Sequence, residues 1–254
     1  MKRIDFLGAP GVGKTTIYKN LLKQRKRSDK WFTPREIKIQ YGKNLLWEEG
    51  EYFKLLFLKT KNSKNIANSI AEQYIEKKGK DILWKEKNKF EDFWELIIKG
   101  VASGKKHPLR KLMGVNYFYL TMRDLVFFLS LEIENQILFD ESLSQKIYGI
   151  ADWEIGAFEK TTEDYFKKMP LPDSLIFFWV NTEDLLERIK SRGKIIPGHR
   201  EMGENEIQKV ILAQQHIASL GKDVLKSRGV NVIEINTNDK VEKNTKIIND
   251  MLRQ

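Results

Sequence analysis

The sequence has no cysteine, three histidines and six prolines in 254 residues. Without thiols it carries neither a disulfide framework nor a thiolate metal site, which suits a reducing compartment and makes a cytoplasmic location the expectation. The histidines (His107, His199 and His216) are scattered, with no spacing that would gather them on a metal. Long hydrophobic runs are missing too. The most apolar stretch, Val115 to Leu131, is interrupted by Arg123–Asp124, which argues against a membrane span. The opening "MKRID" reads as a strand with charges inside it and not as a signal peptide. Neither an internal repeat nor a low-complexity linker is visible.

A hydrophobic content of 41% and an aromatic content of 11% are enough for a real core and exclude a disordered chain. The length fits one large α/β domain, or a core with an insertion. The net charge is +10, and residues 59–111 hold 14 Lys or Arg against 7 Asp or Glu, an excess of seven. A basic insert of that kind would attract nucleic acid, an anionic membrane face or a phosphorylated glycan. Lysine, isoleucine and asparagine are abundant everywhere, however, so ordinary solvated surface would be basic as well. That plainer reading is favoured, and neither nucleic acid nor glycan is the expected partner.

The informative stretch is "FLGAPGVGKTT", residues 6–16. Gly8, Gly13, Lys14 and Thr15 match G-x-x-x-x-G-K-[ST], the phosphate-binding loop. "IDFL" before it reads as a buried strand and "TTIYKNLLKQ" after it as a helix, which is the context the motif requires. Gly8, Gly11 and Gly13 are read as positions of positive φ where a Cβ would block an anion. The amides from Gly11 through Val12 to Thr15, with Thr16 behind them, can then face phosphate oxygens at the positive end of the helix dipole. Lys14 would reach the β- and γ-phosphates of ATP and the Thr15 hydroxyl would ligate Mg²⁺.

Further along, "REIKIQY" (35–41) alternates Ile37, Ile39 and Tyr41 and predicts a strand ended by Gly42. Residues 44–116 show only helical periodicity and are read as a helical insertion within one domain spanning 1–254. Within it, 100–114 is expected to be a loop, and a long helix is expected over "VNYFYLTMRDLVFFLSLEIE". "QILFDES" then predicts a short strand ending in Asp140, Glu141 and Ser142. Ligands bind outside the carboxyl ends of parallel strands, so Asp140 is the first candidate for a base or Mg²⁺ anchor, with Glu141 second. "LIFFWV" predicts another buried strand, followed by a helix on which Arg188 and Arg192 share one side. "VNVIEIN" and "VEKNTKIINDML" complete the alternation. Strands alternating with helices predict a three-layer α/β/α fold with a five-stranded parallel sheet, the Asp140 strand beside the phosphate-loop strand. Arg123 is a lone charge in an apolar helix, which must be paired, exposed or placed to grip an anionic acceptor.

Taken together, "GAPGVGKTT", "ILFDES", "FFWVNTEDLLERIKSRG" and "GVNVIEINTND" resemble the nucleoside and nucleotide kinase branch of the P-loop phosphotransferases, in its thymidylate kinase-like form. The resemblance covers less than half of the chain, in the family's order. It implies a kinase that takes Mg²⁺-ATP and a small-molecule hydroxyl or phosphate acceptor. It further implies that Arg188 and Arg192 brace the transferred phosphoryl group and that Arg200 joins them when "SRGKIIPGHR" closes as a lid. Two departures stand out. Glu141 occupies the place where the family usually carries an arginine, and the segment after the second strand lacks the family's acid or arginine. Nucleoside, nucleotide, sugar and polynucleotide end all remain open as acceptors, and so does the oligomeric state. N-K-x-D and L-S-G-G-Q are absent, which argues against GTPase switches and transporter ATPases; a nucleotide-hydrolysing or nucleotide-sensing regulatory module is the alternative.

Overall fold

A computed structural model describes residues 1–50, 63–103, 107–131, 134–151, 158–191 and 203–253. Five strands form one all-parallel sheet: β1 (Lys2–Leu7), β2 (Trp31–Phe32), β3 (Gln136–Phe139), β4 (Ser174–Trp179) and β5 (Asn231–Asn236). Their spatial order is β2-β3-β1-β4-β5. β1 is therefore central, with Asp5 in register with Phe139 on one side and Leu7 with Phe177 on the other.

The connecting helices are α1 (Lys14–Gln24), α2 (Pro34–Glu48), α3 (Ser63–Lys85), α4 (Glu91–Ser103) and α5 (Pro108–Leu129), followed by the single turn α6 (Leu143–Lys146). Next come α7 (Phe158–Lys168), α8 (Thr182–Ser191), α9 (Glu204–Ser227) and α10 (Val241–Leu252). Alternate strand residues point to opposite faces, and both faces of this sheet are covered. Ile4, Phe6, Ile176 and Phe178 pack with α1 and α10 through Ile17, Leu21, Ile248 and Leu252. Leu7, Leu175 and Phe177 pack on the other face with Phe93, Phe118, Phe166 and Ile217. The fold is thus three-layer α/β/α, and a sheet buried on both sides explains why its strands are near-continuous apolar runs. None of the helices among the described residues is long and apolar enough to cross a membrane.

The two charges in "KRID" lie inside. Arg3 and Asp5 sit two apart on one face of β1, 2% and 0% exposed, with Nε of Arg3 donating to Oδ1 of Asp5 at 2.8 Å. Ser144 donates to Asp5 at 2.7 Å, and Arg3 donates a further bond to the Pro170 carbonyl at 3.0 Å. Each charge is paired and each remaining polar site engaged, the condition under which burial is tolerable.

The second strand is not where the alternation placed it. β2 is Trp31–Phe32, and Arg35–Tyr41 belongs to α2. The Thr33 side chain accepts from the Glu36 amide and the Glu36 side chain accepts from the Thr33 amide, a capping box with Pro34 at the first helical position. Those signals prevail because Ile37, Tyr41 and Leu45 also recur every four residues and pack on one cluster with Phe128 and Phe139. Gly42 does not end the element but lies buried within it, against Ala71 of α3. The expected loop at 100–114 is likewise mostly helix: α4 runs to Ser103, and α5 starts at Pro108 with His107 as its cap, while 104–106 lie outside the described residues. α5 stops at Leu129, earlier than expected, with Ser130 as its C-cap. Leu83 of α3, Phe93 and Ile97 of α4 and Met122 of α5 share the cluster that contains Leu7 of β1, so these helices are packed into the main core.

Gly42 offers a direct test of this packing. A Cβ there would stand 2.6 Å from the Ala71 carbonyl oxygen, a backbone atom with little room to yield. Alanine gains up to about 1 kcal/mol in helix propensity, but overpacking costs about 1–3 kcal/mol. Gly42→Ala should therefore lower stability in urea denaturation, opposite to the effect of the same change at an exposed helix position.

Candidate active site

The phosphate loop leaves the sheet at the carboxyl end of β1. Gly11 and Gly13 have φ of 95° and 107°, the left-handed region that side chains resist. Gly8 does not share that conformation, contrary to the sequence expectation. It is glycine for space, since a Cβ would meet the Phe178 carbonyl oxygen of β4 at 2.6 Å. Val12 turns inward, 1% exposed, and packs with Leu185 and Ile176. Its backbone is thereby held while the other side of the loop stays accessible. α1 starts from Gly13 with no side-chain cap and no acidic residue in its first turn. The positive end of the helix is left uncompensated, which is the arrangement that favours a bound anion.

Lys14 lies across the loop, Nζ donating to the Gly8 carbonyl at 2.6 Å and the Ala9 carbonyl at 3.0 Å. Thr15 and Thr16 are exposed at the start of α1. Beside them a cavity of about 290 Å³ opens between the loop and the β5–α10 connection, lined by Gly11, Gly13, Thr16, Arg188, Thr237 and Asn244. Arg188 forms one wall. Its guanidinium donates to the Val12 carbonyl at 3.2 Å and to the Thr237 hydroxyl, the Thr237 carbonyl and Asn238 Oδ1, each at 2.9 Å. Arg188 thus clamps the loop to the last strand's exit, an arrangement that spacing alone did not reveal. Arg192 and Arg200 lie outside the described residues, as does the expected lid at 191–200 apart from Ser191, which ends α8.

On the opposite side, Asp140 directly follows β3, the strand paired with β1 as expected. It is half-buried, whereas Glu141 is exposed and faces Lys146 at 3.7 Å. Burial, followed by the charge of Glu141, pushes the Asp140 carboxyl above the usual range. Tyr18 of α1 is close enough to feel the same charge. Its hydroxyl is raised first by burial and then by Asp140 and Glu36. The neighbouring pair, Arg25 and Glu36, was not anticipated from the sequence. Arg25 grips Glu36 with both terminal nitrogens, one at 2.6 Å, and stacks over Trp31 at 4.9 Å. The "T-P-R-E" of residues 33–36 was the signal that could have placed Glu36.

Arg123 is brought to neither side of the loop by any contact it makes. Its Nη2 reaches Asp124 at 2.9 Å and Glu76 at 3.2 Å, and it is 8% exposed. Of the roles open to it in the sequence, pairing is the one this geometry supports. Among the described residues no group of three or more His, Cys, Asp or Glu is arranged to hold a metal.

A glycine loop after the central strand, an uncapped helix start and an acid after the adjacent strand meet at the carboxyl edge of a three-layer α/β/α fold with a five-stranded parallel sheet. The chain resembles solved structures of deoxyadenosine kinase from M. mycoides. One, with bound dATP, is 15% identical over all of both chains with a TM-score of 0.48. Another, with bound dCTP, is 16% identical over 98% of each chain with a TM-score of 0.46. It also resembles shikimate kinase from Bacteroides thetaiotaomicron, 12% identical over 100% of this chain and 99% of that one, TM-score 0.38. At those values the likenesses carry no argument about activity. No family model and no curated protein matches the chain.

The shifted carboxyl yields a stability prediction with a definite sign. A carboxyl raised in the folded state binds more protons folded than unfolded, so its contribution to stability falls as pH rises above the ordinary carboxylate value. Asp140→Asn removes that liability. It should raise the thermal midpoint at neutral pH, and the gain should shrink as pH falls to about 4, where the aspartate is itself protonated.

Proposed function

We propose that the protein is an ATP-dependent phosphotransferase that moves the γ-phosphate of Mg²⁺-ATP to a hydroxyl or phosphate of a small molecule. The observation that carries this reading is the two-sided loop. The uncapped start of α1 and Lys14 sit between a cavity bounded by Arg188 on one side and Asp140 on the other. A nucleotide laid over the loop would place its β- and γ-phosphates against the amides of Gly11 to Thr15, and its remainder along the Arg188 cavity. The acceptor would then approach from the side of Asp140.

Phosphoryl transfer asks the protein for position and for charge on the peripheral oxygens, with little covalent chemistry. Lys14 supplies the mobile cation and the α1 amides supply fixed dipoles. Asp140 has two candidate tasks, holding the proton leaving the acceptor hydroxyl or anchoring Mg²⁺ with Thr15. The residues fit the ion. Mg²⁺ takes one or two carboxylates, phosphate oxygens and water rather than a full protein cage, and a cation would relieve a carboxylate whose charge is penalised by burial and by Glu141. Arg188, by fixing Val12 and Thr237, sets the loop; Arg192 and Arg200 would complete the cation set around the transferred group. The helices from residue 44 to 116 are proposed to cap the acceptor side, with Glu141 at its rim. A cytoplasmic setting, where ATP is abundant, suits this activity.

The reading is tested with γ-labelled ATP against nucleosides, nucleotides, sugars and short oligonucleotides. A labelled acceptor is expected; release of phosphate alone would mark a nucleotide-hydrolysing module instead. Lys14→Ala should weaken ATP binding about ten- to a hundredfold, the worth of a hydrogen bond to a charged group. Asp140→Asn should lower turnover by about two to four orders of magnitude while ATP still binds. Full transfer by a folded Lys14→Ala protein would refute the proposal.

A further inference from the structure

We propose that Gln145, a residue with no motif to announce it, is a positioning residue that lets the Lys14 ammonium turn from the loop carbonyls to the nucleotide phosphates. The inference rests on the phosphate-loop reading above and goes beyond it in naming what controls the lysine. Gln145 lies on α6, directly after Asp140, Glu141 and Ser142. Three bonds fix that short turn: Ser142 accepts from the Ser144 amide at 3.2 Å, Ser144 donates to Asp5 at 2.7 Å, and Tyr165 donates to the Leu143 carbonyl at 2.7 Å. The glutamine is therefore delivered to one place.

There its Nε2 donates to the Gly8 carbonyl at 3.0 Å, the same oxygen that accepts from Lys14 Nζ at 2.6 Å. A carbonyl can only be met by the N–H side of the amide, so the orientation is set by chemistry. Oε1 is left buried without a hydrogen-bond partner. Other buried polar atoms lack partners too, Gln214 Oε1 and Thr162 Oγ1 among them, but Gln145 is the residue of that group whose own side chain also bonds the loop.

An ammonium has three N–H donors, and here two of its bonds go to Gly8 and Ala9. To meet β- and γ-phosphates the lysine must leave those carbonyls. Left alone, a buried carbonyl would lose its partner at a cost that opposes the exchange. Gln145 keeps the Gly8 carbonyl satisfied throughout. Its unpaired Oε1 can take one ammonium N–H while the others turn to phosphate. The amide thus makes the two lysine positions nearly equal for the loop, so that phosphate decides between them.

Titration calorimetry with ATP on the wild type, Gln145→Leu, Lys14→Ala and the double variant tests this, with thermal midpoints to confirm folding. If the leucine variant fails to fold, Gln145→Met, of nearly equal length, replaces it. Gln145→Leu should weaken ATP binding about tenfold. In the Lys14→Ala background the same change should add nothing, because the glutamine acts through the lysine. Unchanged affinity in Gln145→Leu would overturn the proposal, and so would an equal loss in both backgrounds, which would make Gln145 a mere brace for the loop. If the wild type binds no ATP, or binds it no better than Lys14→Ala does, the phosphate-loop reading itself falls and the assignment falls with it.

Discussion

The close approach of Gly8 to β4 is the constraint on which the site depends. β1 is paired with β3 as far as Asp5 and with β4 as far as Leu7, opposite Phe177, and one residue later the chain must leave the sheet without leaving contact with β4. Any Cβ at position 8 would strike the Phe178 carbonyl oxygen at 2.6 Å and Val12 at 3.1 Å. Because none is there, Val12 can fold beneath the loop into the core, and Gly11 and Gly13 can turn the backbone over it at positive φ. Arg188 closes the construction from the far side by holding the Val12 carbonyl and Thr237 together. The loop is held on its inner side through Val12, and the start of α1 carries no side-chain cap, the condition that favours a bound anion.

Most charges in the surrounding layers are matched. Arg3 meets Asp5, Arg123 meets Asp124 and Glu76, and Arg188 is spread over carbonyls and hydroxyls. Asp140 is the contrast, a half-buried acid whose strongest charged neighbour, Glu141, is another acid. A fold selected only for stability would not put a carboxylate there. Perturbed acids cluster at functional sites for this reason, and the perturbation here coincides with a strand end beside a phosphate loop.

How much could be read from the sequence follows the range of the interactions involved. The loop, its strand and its helix are contiguous in sequence, and all of them were legible, as was the Asp140 strand beside β1. α2 was misread because Ile37 and Tyr41 fit a two-residue period with Ile39 as well as a four-residue one with Leu45. The capping box from Thr33 to Glu36 carried the decisive information. Gly8 was assigned to glycine for the wrong reason, since nothing local announces Phe178, 170 residues away. Gln145 was invisible for the same cause, its partner Gly8 lying 137 residues off. The clamp of Arg188 on Thr237 spans 49 residues and was equally out of reach.

The wall around Asp140 was illegible because it is assembled from several elements. Tyr18 comes from α1, Arg25 from its C-cap, Glu36 from the first turn of α2 and Asp140 from directly after β3. Glu36 is the acid that follows the second strand as the structure places it. Its carboxylate is saturated, accepting from both terminal nitrogens of Arg25, from the Thr33 amide at 2.9 Å and from the Thr33 hydroxyl at 3.0 Å. Those bonds hold its carboxyl below the usual range against the effect of burial, and a carboxylate so stabilised is a poor base. Removing Glu36 from the chemistry would leave Arg25 half-buried without its partner, a structural loss rather than a catalytic one. Among the described residues of this wall, Asp140 is the carboxylate whose charge is opposed by its surroundings. It is the one positioned to gain from a proton or a cation.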